Sequence, residues 1–163
     1  MAKYALTWQS TTHVAVADTA NYTDAGYSFF LQGGSATMRL VVSELYIGGE
    51  DTASTVNTAV FSRDSTVAAT AISGNKNAVL DASNTAPGTV AVFGNTSTTK
   101  PQRSSTLHLL QLSFNSFGGV VRWVAAPGNE ITIVTATQPL GEASLSNVTG
   151  TGKTSGHCIY EVV

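Results

Sequence analysis

The chain has 163 residues, of which 42% are hydrophobic and only 11% charged, with a formal net charge of −2. That length favours one domain, able to bury roughly 70% of the surface its unfolded chain exposes, and recurrent Val, Ile, Leu and aromatic residues argue against disorder. No basic stripe is present for tracking phosphates, so neither DNA nor RNA is expected as a partner.

The first residues, "MAKYALTWQ", have no apolar core segment and no cleavage pattern, so no signal peptide is expected. No run approaches the ~18 apolar residues of a membrane span. Synthesis and folding in a cytoplasm is the resulting expectation. The first predicted strand is "YSFFLQ" (27–32), followed by the long β-branched run "ATMRLVVSELYIGG" (36–49) and "TAVFSRDS" (58–65). Residues 65–106 form a small, polar, almost uncharged excursion in which "TVAVFG" (89–94) can be a strand and "TKPQRSS" reads as an exposed turn carrying Lys100 and Arg103. Then come "TLHLLQLSF" (106–114), "VVRWVA" (120–125), "EITIVTA" (130–136), "EASLSNV" (142–148) and "HCIYEVV" (157–163). Each is bounded by Gly, Pro, Asn or Ser. About eight strand-like runs without helical periodicity predict an all-β fold, a jelly-roll-like β-sandwich with little helix. It is one domain over 1–163, with an N-terminal segment 1–34 and the excursion 65–106.

"FNSFGGVVRWVAAPGNEITIV" (114–134) reads as a hairpin closed by Pro127-Gly128. Period-two alternation puts Val121, Trp123 and Ala125 on a core face, with Ile131 and Ile133 opposite. Val120, Arg122 and Val124 share the other face, which is apolar apart from Arg122 and Thr132. Such a face needs a cover: a second sheet, a loop or another subunit. Arg122 either pairs with a carboxylate at that seam or extends along the sheet to solvent.

Motifs for chemistry are weak. "GTGKTSGH" (150–157) lacks the first glycine of a phosphate-binding loop, since position 147 is Asn147, and a mobile β-turn is expected there. His13, His108 and His157 are isolated. His157 adjoins Cys158, but adjacent strand residues point to opposite faces, so the pair does not share a metal. Cys158 is the only cysteine, which excludes an intramolecular disulfide. There is no Gly-x-Ser-x-Gly elbow, and the acidic residues are scattered, with Glu44 alone inside a long strand. No enzyme activity and no cofactor or metal is expected.

Four stretches, "SATMRLVVSELYIGGEDTAS", "FSRDSTVAAT", "STTKPQRSSTLHLLQLSFNSFGGVVRWVAAPGNEITIV" and "PLGEASLS", resemble a family of small structural proteins of tailed bacteriophages. The resemblance spans roughly residues 35–163 and rests on packing and turn motifs. It implies a virion component, a jelly-roll capsid decoration (cement) protein on the capsid exterior, binding the major capsid protein and forming a homo-oligomer, a trimer by analogy. Lys100 and Arg103 are expected to meet acidic capsid side chains, and Val120, Arg122 and Val124 to form a covered seam. The excursion and the N-terminal segment are expected to touch the capsid or neighbouring copies. The alternative is a phage fibre or head-fibre glycan-binding module, with "DTANYTDAGY" (18–27) as its candidate loop.

Overall fold

The computed structural model describes residues 1–17, 20, 27–66, 71–72, 76–84, 91–94, 96–97, 101–134 and 141–163. Among them there is no helix. The strands are β1 (Lys3–Val14), β2 (Tyr27–Gly33), β3 (Leu40–Glu50), β4 (Val56–Thr66), β5 (Ala71–Ile72), β6 (Lys76–Val79), β7 (Ala91–Gly94), β8 (Thr96–Ser97), β9 (Gln102–Asn115), β10 (Phe117–Val124), β11 (Ile131–Ile133), β12 (Ala143–Thr149) and β13 (Thr151–Val162). They build two antiparallel sheets packed as a β-sandwich. The first runs β10–β3–β13–β1–β6, with β11 also on β3; the second runs β7–β2–β12–β4–β9. The short β5 and β8 pair with each other. Among the eight long strands, every step in sequence crosses between sheets except β4 to β9, which are neighbours.

Alternation drives the packing. Tyr4, Leu6 and Trp8 of β1 point inward, as do Cys158 and Tyr160 of β13; Phe29 and Leu31, Ala59 and Phe61, and Ala143 and Leu145 face them from the second sheet. On β3 the inward set is Leu40, Val42, Leu45 and Ile47, which breaks strict alternation. A register shift opposite Ile159 and Tyr160 accommodates the extra residue, Ser43, so both halves of the strand reach the core. Gly150, with φ +75°, makes the connection between β12 and β13, where a Cβ would run into the Asn57 side chain.

The structure differs from the sequence reading at four places. β1 was not predicted, yet it lies between β13 and β6. The β10–β11 hairpin does not form. Both segments pair with β3 in the same direction, Val121 with Ile47 and Ile131 with Val42. They make one edge strand from which residues 125–130 loop out, while the Ala125 amide donates to Ser43 O at 2.9 Å and keeps the line. The inward and outward faces are nevertheless as alternation requires. The expected β-turn over 150–157 shrinks to Gly150; Lys153 and Thr154 lie within β13. The excursion supplies two strands to this chain's own sheet edges, β6 beside β1 and β7 beside β2.

The two sheets differ on their outer sides. In the second sheet, Tyr27, Phe30, Val60, Ser62, Ser144 and Ser146 alternate with the core residues and are also buried. Val16 and Ala20 pack on Tyr27 and Phe30. The first sheet leaves much of its outer side open. Phe29 sits between Trp8 and Phe61, with ring centroids at 5.4 and 5.9 Å. Phe29→Ala is therefore expected to cost about 3–5 kcal/mol in urea unfolding while leaving the β-type circular dichroism intact; a loss below ~1 kcal/mol would contradict this packing.

Candidate functional site

The open side of the first sheet is organised in cross-strand rows. One row is Arg122, Tyr46, His157 and Thr7; the next is Val120, Gly48 and Ser155. Along β3 the outward positions are Glu44, Tyr46, Gly48 and Glu50, a phase set by the irregularity at Ser43.

Glu44 is the centre of the first row's charges. Arg122 donates Nε–H to Oε1 and Nη2–H to Oε2, both at 2.9 Å. His157 Nε2 lies 2.8 Å from Oε1. The Arg122 hydrogen bonds, aided by His157, hold the Glu44 carboxyl down at about 2. The Tyr46 ring stacks on the His157 imidazole with centroids 5.2 Å apart and planes 3° from parallel. Thus Arg122 does pair with a carboxylate, and the carboxylate is the chain's own.

Beside this row lies an open depression of about 650 Å³. Tyr46 and His157 bound one end and Glu50 the other, with Val120 on one flank, Gln9 on the other, and Gly48 as floor. Glu50 is preset. Ser10 Oγ donates to Oε2 at 2.7 Å and Ser155 Oγ donates to Oε1. These hydroxyls, Ser155 foremost, hold the carboxyl below its ordinary value. Ser10 reaches it because β1 is irregular between Trp8 and Thr11, where Ser10 adopts φ +48°.

The sequence-predicted contact residues separate into two groups. Val120 and Val124 are 57% and 55% exposed and flank Arg122 on the outer face of β10. Lys100 lies outside the described residues, as does most of 18–27. Arg103 is not at the surface. It is wholly buried, donating to Ser146 Oγ and, at 2.6 Å, to Val16 O. The physical reason is a pair of buried carboxyls, Asp64 and Glu142. Asp64 pairs in register with Arg103, and the guanidinium is the local counter-charge. An arginine so enclosed does not meet a partner's acids.

The histidines and cysteine are also placed. Buried His13 lies 2.6 Å from Thr154 Oγ1 and 3.3 Å from Ser28 Oγ, and burial pulls its pKa down to about 4. Exposed His108 lies on β9. Cys158 points inward and burial pushes its thiol far up, while His157 points outward to Glu44. Among the described residues, no three His, Cys, Asp or Glu side chains converge as a metal site.

In sequence the run 36–49 reads as a long strand closing on Gly-Gly; the outward row Tyr46, Gly48 and Glu50 is every second residue of its end, the one local signal of this site. Comparison with known protein families, curated proteins and solved structures finds no match to this chain.

Burial, with Glu142 adjoining, raises the Asp64 pKa well above the ordinary carboxyl value. A group raised on folding contributes fully below its unfolded value of about 3.9, and that contribution is lost as pH rises through the folded value. Asp64→Asn cannot ionise and keeps an acceptor for Ser144 Oγ, which now donates to Oδ1 at 2.6 Å. The variant is expected to be more stable than the natural chain at pH 8, with the difference shrinking toward pH 4. Urea unfolding at pH 4, 6 and 8 checks this; a variant less stable at pH 8 contradicts it.

Proposed function

We propose that this chain is a non-enzymatic structural protein of a tailed-bacteriophage virion, a decoration protein that assembles on the major capsid protein at the capsid exterior. The resemblance over residues 35–163 supports this reading. So does the strand order, with β1, β13, β3 and β10 in one sheet and β2, β12, β4 and β9 in the other. Two interlocked Greek keys of a jelly roll produce that order.

The observation that carries the proposal is the outer row of β10. Val120 and Val124 are more than half exposed, and so is Phe117 at 63%. β10 ends its sheet, with no strand on its far side among the described residues. A sheet edge carrying apolar side chains is a template for another chain. Arg122 does not repel a neighbour, because its own Glu44 neutralises it. The row therefore faces a second copy in a homo-oligomer, a trimer by the resemblance, which binds the capsid as a unit.

Val120→Glu with Val124→Glu places two carboxylates on this row without entering the core. The double variant is expected to keep its unfolding midpoint, to scatter light as a monomer at micromolar concentration, and to lose decoration of undecorated capsids. Unchanged association and unchanged decoration would sink the proposal.

A further inference from the structure

The depression on the first sheet is floored by a glycine that the fold does not require. Gly49 and Gly156 are explained internally: a Cβ on Gly49 would run into the Asn115 and Ser116 carbonyls, and one on Gly156 into the Trp8 ring. Gly48 differs. Its φ lies outside the left-handed region, and an added Cβ would meet only Ser155 O at 3.8 Å and Tyr46 Cε1 at 3.9 Å, ordinary contact distances. Glycine inside a strand weakens it, and it often marks either a bulge, as the β10–β3 register shift beside Gly48 does, or a place where a ligand approaches closely. Here it keeps open a space of about 650 Å³, within the roughly 300–1,000 Å³ of small-molecule sites.

We propose that this depression binds a neutral, hydroxyl-rich ligand, a saccharide of one to three rings, lying on Gly48 between the Tyr46–His157 pair and Glu50. The chemistry of the walls selects that class. A carboxylate offers about four lone-pair positions. In Glu50, Ser10 and Ser155 fix both oxygens in place and leave the outward positions free to accept from ligand hydroxyls. Gln9 and Thr7 add polar groups along the β1 side. The edge of the Tyr46 ring, beside Gly48, offers apolar contact to ring C–H groups. Arg122 is already matched by Glu44, so an anionic ligand gains no counter-charge from it, and the open acceptor positions of Glu50 suit hydroxyl donors. The site uses none of the residues of "DTANYTDAGY" and does not depend on capsid binding.

The test is titration of the full chain with neutral trisaccharides of glucose, galactose, mannose and N-acetylglucosamine to ~20 mM, a range that detects even millimolar affinity, followed by backbone amide NMR shifts. At least one sugar is expected to move Tyr46, Gly48, Glu50, Ser155 and His157 together. Gly48→Val should fill the floor and weaken binding by at least about tenfold, because a filled contact excludes the ring, with an unfolding midpoint no lower than that of the natural chain. Glu50→Gln should weaken binding while retaining it at the same residues. The proposal is overturned if no sugar moves these amides, if Gly48→Val binds undiminished, or if a lysine-rich peptide or a sialylated trisaccharide occupies the site more tightly than every neutral sugar.

Discussion

Trp8, Phe29 and Phe61 form a ladder of aromatic rings from β1 across to β2 and β4, and the placement of Trp8 constrains much around it. Its ring and the Tyr46 carbonyl together fill the position a side chain at 156 would take, so β13 must carry glycine there. Its indole N–H is enclosed and needs an acceptor, which Thr154 Oγ1 provides at 3.2 Å. That hydroxyl also contacts His13, and His13 contacts Ser28, so the chain of polar groups returns to β2. Aromatic contact and hydrogen bonding thus lock the first strand against the last and against the opposite sheet.

The second constraint is that the middle of the second sheet, β2 with most of β12 and β4, is buried on both faces. All seven residues of β2 are enclosed, which requires cover on its outer side as well as a core within. Part of that cover is apolar, Val16 and Ala20 on Tyr27 and Phe30; part is polar, with Arg103 among Asp64, Glu142 and the serines of β12. Removing the arginine from such a cluster leaves buried carboxyls without their counter-charge, so its geometry is held tightly even where its net contribution to stability is small. The middle strands of the second sheet therefore show little of themselves to solvent, whereas the outer side of the first sheet is open.

Much of this was legible in the sequence. Period-two alternation in "VVRWV" put Trp123 inward and Arg122 outward correctly, because each strand obeys that rule regardless of its partner. The same rule applied to "KYALTWQ" shows Tyr4, Leu6 and Trp8 on one face; β1 went unread because Thr, Gln and Ser interrupt the run. What failed depends on pairing between distant segments. β10 and β11 look like a hairpin by proximity, but the long edge of β3 accepts both. Arg103 looks exposed beside Pro101 because its buried neighbours come from positions 64 and 142. Glu44, Arg122 and His157 stand on three different strands, and no local pattern announces their meeting.

Glu44 links the two proposed surfaces. A single carboxylate, partly enclosed and held ionised at about 2, takes both Arg122 and His157. It removes the charge that would otherwise make the β10 row repel its own copy, and it holds the imidazole against Tyr46 at the end of the depression. Glu50, six residues further along β3 on the same face, has no such cation donating to it; serine hydroxyls orient it instead. The first carboxylate is used up within the chain and leaves apolar side chains to make contact. The second is fixed yet keeps acceptor capacity facing solvent. One row of alternate residues on β3 therefore serves two different kinds of surface, with Gly48 as the gap between them.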